Sequence, residues 1–507
     1  MDPSSLFKSL VVVESTEATP SRSQSRGDSI SIHTAPQLPE KPTRTLSRAN
    51  TALNVNIDLH DLTNAKTSPP SFPGGTTTPL ELESCPQTPH NQDAAEVVQT
   101  VWEPHMNRWR MAAVCCMIFT DGIHDSCAGP LIPYMETDYD IEYGTVSLIF
   151  VGAAIGFVLA ASLLDVLRHK LGRARVISLS TIIHLLGFLG VALRPPFPVV
   201  VVAYAFIGMG SALNIAFSNL FCGSLANATT VLGGMHGSYG IGGTVGPLAA
   251  TAMAGSGINW SKYYFIGVGM SIVNFCIATW SFWGADDDGT SGGGGHETLV
   301  ERLEEMDSGV GGKLGGLLAA LKSMVVLLGS LFIFSYQGAE VSISGWVVSF
   351  LINVRGGDPA SVGYVTSGFW AGITIGRFLL ANPAQRIGEK LFIYIVTVAS
   401  VVFELLVWLV PNLIGNAVAV GIIGLLLGPV APCSAAVFMK ILGRKERVSG
   451  MGIISAFGSS GGAVAPFTTG LLAQAKGTWV MHPVVIGLLG AMLACWFGLP
   501  KLGKRRE

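Results

Sequence analysis

Twelve long apolar segments follow one another from residue 107 onward, and they limit what this chain can fold into. A helix needs about 20 mainly apolar residues to cross the hydrocarbon core of a bilayer. The sequence predicts spans at 107–134, 144–167, 174–193, 197–222, 231–255, 261–283, 317–352, 360–381, 391–410, 413–439, 449–475 and 480–499. We therefore expect an all-α membrane protein with twelve transmembrane helices.

Composition supports a membrane protein and argues against several other classes. The chain has 507 residues, of which 49% are hydrophobic and only 13% are charged, whereas a soluble domain has about 25% charged residues. Its net charge of −2 gives no reason to expect a nucleic-acid partner. The eight cysteines lack the paired spacing of a disulfide framework or a zinc site. We predict no metal, no cofactor and no enzymatic activity.

Two segments differ in composition from the apolar spans. The stretch before the first span is rich in Ser, Thr and Pro and poor in large apolar residues, so it is expected to be disordered. A Gly-rich, acidic stretch separates the sixth span from the seventh. The predicted organisation is a disordered tail (1–104), a six-helix bundle (105–284), a linker (285–316), a second six-helix bundle (317–500) and a short tail (501–507).

The distribution of basic residues predicts the orientation in the membrane. With the N-terminus inside, most Lys and Arg near the span ends fall in cytoplasmic loops or tails, and the outer loops hold only Arg194, Lys262, Arg355 and Lys476. Cytoplasmic loops carry an excess of Lys and Arg. Both termini are therefore predicted to be cytoplasmic.

Glycines repeat between the two halves at one spacing. The pairs at an offset of 216 residues are Gly122 and Gly338, Gly129 and Gly345, Gly152 and Gly368, Gly156 and Gly372, Gly172 and Gly388, and Gly208 and Gly424. In the fifth and eleventh spans "GGTVGP" (242–247) matches "GGAVAP" (461–466) at an offset of 219. Parallel repeats of this kind build one large class of transporters, so we predict two pseudo-symmetric six-helix bundles.

The loop after the second span carries a recognisable motif. It reads "LLDVLRHKLGRARV" (163–176), and its repeat reads "ANPAQRIGEKL" (381–391). These stretches resemble the G-x-L-x-D-R-x-G-R-R loop of the major facilitator superfamily, and the implied gating-loop residues are Asp165, Arg168, Gly172, Arg173, Arg386 and Gly388. His169 and Gln385 stand where that family has Asp, which leaves Asp165 to supply the acid. The alternative is an ordinary basic cytoplasmic loop.

Three further stretches resemble one branch of this superfamily, the fungal carriers similar to fucose–proton symporters. They are "GMGSALNIAFSN" (208–219), "FSYQGAEVSISGW" (334–346) and "LGPVAPCSAAVF" (427–438). The resemblance covers about residues 107–500. It implies the major facilitator fold, a central site between the bundles, and transport by alternating access.

Ionisable residues within the spans are the candidates for proton coupling. A charge at the bilayer centre costs at least about 2.5–3.5 kcal/mol, so such groups should face a watery cavity or a partner. Asp121, His124 and Asp125 are spaced to share one broad helix face, and Glu340 lies in the equivalent seventh span. We predict Asp121, Asp125 and Glu340 as the coupling residues. The alternative for each is a packing acid bonded to a neighbouring helix.

Amide, imidazole and aromatic side chains within the spans are the candidates for binding a solute. Amides hydrogen-bond to hydroxyl groups, and aromatic faces stack on sugar rings. The predicted binding residues are His124, Asn214, Asn219, Tyr336, Gln337, Trp346 and Trp370. Packing is the alternative, above all for Trp370. Other intramembrane polar residues are His184, His236, Glu404 and Arg377, the last of which is expected to reach the surface or pair with an acid.

The resulting prediction is a monomeric secondary carrier in the plasma or vacuolar membrane. No nucleotide-binding motif is present, so a gradient, most simply of protons, should supply the energy. The expected solute is a small polar organic molecule, such as a sugar or glycoside. Two alternatives stay open: an efflux carrier for drugs or secondary metabolites, and a nutrient receptor that does not transport.

Overall fold

A computed structural model describes residues 99–283, 323–442 and 447–500. It does not describe the side chains of Asp165, Arg168, His169, Arg173 and residues 447–449. The predicted N-terminal tail, apart from residues 99–104, therefore lies outside the described residues, as do the predicted linker and the C-terminal tail.

The described chain is built from helices joined by short connections. They are α1 (Asn107–Tyr139), α2 (Tyr143–Val146), α3 (Leu148–Ala192), α4 (Phe197–Ser224), α5 (Ala228–Gly255), α6 (Tyr264–Phe282), α7 (Met324–Arg355), α8 (Pro359–Val362), α9 (Tyr364–Leu379), α10 (Ala381–Ile387), α11 (Glu389–Leu409), α12 (Leu413–Leu427), α13 (Val430–Ile441), α14 (Arg447–Lys476) and α15 (Met481–Gly498). Short 3₁₀ turns, Trp260–Tyr263 and Thr478–Val480, precede α6 and α15.

These helices confirm the predicted all-α membrane fold. Within the described residues, eight helical segments are long and apolar enough by themselves to cross a bilayer. The remaining predicted spans fall on α1, α5, α9 and α14, which carry Asp121, Asp125, Arg377 and the glycine-rich motifs. Intramembrane acids are not confined to these helices, since Glu340 and Glu404 lie in α7 and α11, which are among the eight.

Some boundaries differ from the sequence-based prediction. The second and third predicted spans are both present, as the apolar segments Tyr143–Leu164 and Ala174–Ala192, and Gly172 of α3 separates them with a non-helical backbone (φ 76°, ψ 167°). The predicted tenth span is divided into α12 and α13, which are separated by Gly428 and Pro429. Helix α1 continues to Tyr139, beyond the predicted end at residue 134. Helix α1 runs through Pro130 and Pro133 without ending. Neighbouring helices and side chains can satisfy the backbone groups that a proline leaves without a hydrogen bond in a membrane helix.

Glycine contacts repeat between the halves at the spacing seen in the sequence. A Cβ at Gly208 would lie 2.9 Å from the carbonyl carbon of Ala153, and a Cβ at Gly424 would lie 2.9 Å from the carbonyl carbon of Phe369. Ala153 and Phe369 are themselves 216 residues apart. Small residues at these crossings let the helix backbones approach closely. The crossing of α3 with α4 in the first half is thus packed like the crossing of α9 with α12 in the second.

The two halves meet at one end of the molecule. Helix α1 is partly exposed before Asp125 and then buried from residue 126 to residue 132, and α7 is buried from residue 342 to residue 351. A Cβ at Gly129 of α1 would lie 3.2 Å from the carbonyl carbon of Ser344 on α7. We call the end where α1 and α7 finish the closed end. Asp125, in the middle of α1, is exposed. We infer from this a solvent-accessible space between the halves, here called the chamber, on the side toward which these helices begin.

Candidate functional site

Asp125 faces the chamber from the first half. Its side chain is exposed, although it lies in the middle of α1. Its Oδ2 atom accepts a hydrogen bond of 2.8 Å from the hydroxyl of Tyr239 on α5. Tyr239 is the single large aromatic side chain in the glycine-rich stretch "GGMHGSYGIGG" (233–243). Because its neighbours are small, α5 lies close to α1 and this phenol reaches the carboxylate.

Glu340 faces the same region from the second half. It is only 4% exposed, and it lies within electrostatic range of Asp125. The guanidinium of Arg377 on α9 is within electrostatic range of Glu340, Tyr336 and Tyr239. The chamber therefore brings together one carboxylate from each half and one permanent cation. Charges at this depth are tolerated when they compensate one another and line a cavity.

Aromatic side chains form the wall next to these charges. The ring of Trp370 lies edge-on to that of Tyr239, with their centroids 5.9 Å apart. Its indole Nε1 donates a 2.8 Å hydrogen bond to Ser344 Oγ. Trp370 is thereby fixed between α9, α7 and α5, and it is 2% exposed. His236, one turn before Tyr239 on α5, is exposed and interacts electrostatically with Arg377.

Asp121 lies one turn before Asp125 but has different neighbours. Its Oδ1 accepts hydrogen bonds from Ser211 Oγ at 3.1 Å and from Asn214 Nδ2 at 3.5 Å. His184 Nδ1 lies 3.6 Å from the same oxygen, and Ser180 donates to Asn214 Oδ1 at 2.7 Å. All of these side chains are buried. Asp121 therefore belongs to a polar network inside the first half, formed by α1, α3 and α4.

His124 is enclosed by aromatic rings rather than directed into the chamber. Its ring centroid lies 5.4 Å from that of Phe188, 5.3 Å from that of Tyr204 and 6.1 Å from that of Tyr264. The hydroxyls of Tyr204 and Tyr264 share a 2.5 Å hydrogen bond. The structure thus places Asp121 and His124 in the interior of the first half and Asp125 at its chamber surface.

The remaining predicted binding residues do not form one group. Trp346 is fully buried near the closed end, where its Nε1 donates to the carbonyl of Pro466 at 2.8 Å. Asn214 belongs to the Asp121 network, and Asn219 is half-buried further along α4. Tyr336 and Gln337 are on α7 about one turn before Glu340, beside the charges of the chamber. Tyr336 is buried and Gln337 is half-buried.

The predicted gating loops share their backbone geometry. Gly172 interrupts α3 with φ 76°, and Gly388 precedes α11 with φ 97°. Both values favour glycine. Arg386 is exposed at the end of α10, whereas the side chains of Asp165, Arg168 and Arg173 lie outside those described. The charge pairing expected at the first loop therefore stays a prediction.

Sequence reasoning missed Tyr239 and did not assign Arg377 or His236 to the chamber. Tyr239 could have been found as the one phenol on a glycine-rich face opposite α1. Arg377 could have been linked to Glu340 because a fixed cation within a span needs an acid. Among the described residues, no cluster of three or more His, Cys, Asp or Glu is placed to hold a metal ion.

Comparison with known proteins assigns the chain to a family. The family model for the Major Facilitator Superfamily matches residues 114–421 and 328–507. The chain belongs to the Major Facilitator Superfamily. It is therefore a multi-pass membrane transporter, in agreement with the helices and the repeat.

Individual relatives are more distant. Bypass of stop codon protein 6 of Saccharomyces cerevisiae (strain ATCC 204508 / S288c) is 24% identical over 428 residues, which cover 78% of this chain and 84% of that protein. A crystal structure of a mutant of the nucleoside transporter NupG has a TM-score of 0.59 at 14% identity, covering 76% of this chain and 98% of that one. A bacterial homologue of the human lysosomal transporter Spinster, inward-facing and unoccupied, has a TM-score of 0.61 at 12% identity, covering 78% and 97%. At these identities the two structures show the fold alone.

Proposed function

We propose that this transporter carries a small polar organic solute, a sugar or glycoside, and couples its movement to that of protons. The observation that carries the proposal is the pairing of Asp125 and Glu340 on opposite walls of the chamber. Each is held by one half of the molecule, so a rocking motion of the halves changes the distance between them. Within the superfamily, we assign the chain to the fungal branch of carriers resembling fucose–proton symporters.

The side chains around the chamber favour a solute with several hydroxyl groups. Asp125 offers an acceptor, Gln337 offers both a donor and an acceptor, and Arg377 offers donors. Tyr239 and Trp370 supply aromatic surface at the same level. This combination of acceptors, donors and rings matches a polyhydroxylated ring better than a purely apolar drug. A nucleoside also carries such a ring and belongs among the solutes to be tested.

The two carboxylates also support the coupling to protons. When Asp125 and Glu340 are both ionised, they repel each other in a region of low dielectric constant. Arg377 compensates one negative charge, and a proton or a cationic solute compensates the second. Loading a proton therefore favours the arrangement in which the two walls approach. Asp121, the third predicted coupling residue, lies one turn before Asp125 and within electrostatic range of it, and it is hydrogen-bonded to Ser211 and Asn214 within the first half.

Solute uptake into proteoliposomes tests the proposal. The purified protein is offered labelled hexoses, pentoses, glycosides and nucleosides, together with a lipophilic drug panel, with and without an imposed pH gradient. We expect a hydroxylated solute to accumulate only with the gradient. Glu340→Gln should lower that accumulation at least about tenfold, while exchange of labelled for unlabelled solute continues.

The control is Glu103→Gln, because Glu103 is exposed and precedes α1. If Glu340→Gln accumulates solute as well as the unsubstituted protein, the assignment of proton coupling to Glu340 is wrong. Movement of lipophilic compounds alone would identify an efflux carrier. If no solute moves in either direction, the receptor alternative gains support.

The orientation proposed for this carrier has both termini in the cytoplasm, in the plasma or vacuolar membrane. Lys390 and Lys440 support it, because both lie at the open end, where Lys440 pairs with Glu389 at 2.6 Å. Cytoplasmic ends carry the excess of basic residues. The closed end is then the outer face, and the chamber faces the cytoplasm.

A further inference from the structure

Besides the contact between α1 and α7, two further contacts between the halves, which we call seams, join them at the closed end. In one, the short helix α2 of the first half packs against the end of α14 in the second half. In the other, the short helix α8 of the second half packs against the end of α5 in the first. The internal repeat relates the two seams: Gly144 of α2 corresponds to Ala360 of α8, and Gly255 of α5 corresponds to Gln474 of α14. The same junction is therefore made twice with different side chains.

The inner layers of the two seams are alike. A Cβ at Gly363 would lie 3.0 Å from Thr251 Cγ2, and a Cβ at Gly470 would lie 2.6 Å from Ser147 Cβ. Thr251 and Gly470 are repeat equivalents, and so are Ser147 and Gly363. Each inner layer thus packs a small hydroxyl residue against a glycine, so it gives no reason for the seams to behave differently.

The outer layers of the two seams are not alike. At the α5–α8 seam, a Cβ at Gly255 would lie 3.0 Å from the carbonyl oxygen of Ala360 and 3.2 Å from its Cβ. At the α2–α14 seam, Gln474 Oε1 accepts a 3.0 Å hydrogen bond from the backbone N–H of Gly144. The Nε2 group of Gln474 donates to the carboxylate of Glu142. One outer layer is close backbone packing, and the other is a polar side-chain bridge.

The surroundings of the bridge make it easier to open. A cavity of about 820 Å³ borders it and is lined by Glu142, Tyr143 and Gln474, among other residues. Gln474 and Glu142 are both exposed there. Water can take over the hydrogen bonds of an amide and a carboxylate at little cost when they separate. It cannot replace the dispersion attraction between Gly255 and Ala360 when these residues move apart.

We propose that the α2–α14 seam is the latch of the closed end and that the α5–α8 seam is its pivot. Gln474 is the positioning residue of the latch, since it bridges α14 to both Glu142 and Gly144. The halves part first at the latch while Gly255 and Ala360 stay in contact, as small packed residues do at a hinge. The role of the latch and the pivot in transport rests on the proposed function. The difference between the two seams does not, because it is present in the protein without any solute.

Distances between paired spin labels, measured by pulsed electron paramagnetic resonance, test the proposal. The labels are placed on cysteines in a background without native cysteines. The latch pair is Thr137→Cys with Lys476→Cys, and the pivot pair is Ser256→Cys with Ser361→Cys; all four residues are exposed. The full-length protein is measured in detergent and in liposomes without any solute. Gln474→Leu keeps the size of the side chain and removes both bonds, and Glu142→Ala removes one acceptor from the other side.

We expect both substitutions to add a longer component to the latch distances and to leave the pivot distances unchanged. The control, Ala360→Ser, changes the pivot at the position equivalent to Gly144 and should alter neither distribution. Equal lengthening at both seams, or no change at the latch in either variant, would overturn the proposal. Because no transport is measured, these results stand even if the proposed solute or its coupling to protons is wrong.

Discussion

The hydrogen bond between Tyr239 and Asp125 gives the sharpest quantitative prediction for the chamber. Tyr239→Phe removes only the hydroxyl that donates to Asp125 Oδ2 at 2.8 Å. A hydrogen bond to a charged group contributes about 1.5–3 kcal/mol. The lower value applies here, because Asp125 is exposed to the chamber and water weakens the interaction. Because 1.36 kcal/mol corresponds to a factor of ten in an equilibrium constant, the loss lowers the equilibrium constant for the observed orientation of Asp125 roughly tenfold.

Initial rates of solute exchange in proteoliposomes measure this effect. If Asp125 contacts the solute, Tyr239→Phe should raise KM about tenfold and leave the maximal rate nearly unchanged, because the bond positions a binding group. Tyr364→Phe is the matched control, since Tyr364 lies at the surface and is 42% exposed. An unchanged KM with a lower maximal rate would refute the reasoning. Tyr239 would then act on the movement of α5 against α1 and not on binding.

Two further predictions concern stability, measured as reversible unfolding in mixed micelles. Glu404 and His482 form a fully buried 2.6 Å pair between α11 and α15. A double-mutant cycle with Glu404→Leu and His482→Phe should give a coupling free energy of about 0.6–1.7 kcal/mol, as for other polar pairs between membrane helices. A coupling free energy near zero would contradict a stabilising pair. Gly424→Val forces a side chain onto the backbone of Phe369 and should lower the free energy of unfolding by about 1–3 kcal/mol. The control, Gly487→Val, places its side chain in open space and should have no such effect. Equal losses of unfolding free energy in the two variants would refute the packing argument.

Much of the fold could be predicted because the bilayer imposes strong local rules. Span length depends on short stretches of sequence and predicted an all-α membrane protein, the glycine repeat predicted two bundles, and the resemblance of the loop motif implied the major facilitator fold. Helix ends were less predictable. Pro130 and Pro133 lie inside α1, since neighbouring helices compensate for the missing backbone bonds. The break between α12 and α13 at Gly428 and Pro429 was not foreseen within an otherwise uniform apolar run.

The site was harder to predict because it depends on which helices lie opposite each other. Glu340 was singled out from its charge and from the repeat that relates the seventh span to the first, but its neighbour Arg377 is 37 residues away in sequence and on another helix. Tyr239 has no unusual charge, and its role comes from the small residues that bring α5 against α1. Trp346 was expected near the solute as an aromatic ring within a span. The structure instead buries it at the closed end, where Pro466 supplies its hydrogen-bond acceptor.

The stretch "FTDGIHDSCAGPLIP" (119–133) shows how one helix divides its ionisable groups between two environments. Residues four apart on a helix differ by about 40° around its axis, and here that rotation is enough to change the neighbouring helices. Asp121 turns toward α3 and α4, which offer Ser211, Asn214 and His184. Asp125 turns toward α5 and the chamber, where it accepts from Tyr239.

This division has a consequence for any motion of α1. Asp121 ties α1 to the interior of the first half, so the helix moves with that half as a unit. Asp125 is then carried toward or away from Glu340 whenever the halves rock. Asp121→Asn should therefore change the thermal stability, because it loosens the attachment of α1 to the first half. Asp125→Asn should change the KM for the solute, because it alters a side chain of the chamber. Measuring thermal stability and KM for both variants separates these roles. A large change in KM with unchanged stability for Asp121→Asn would show that the two acids act together at one site.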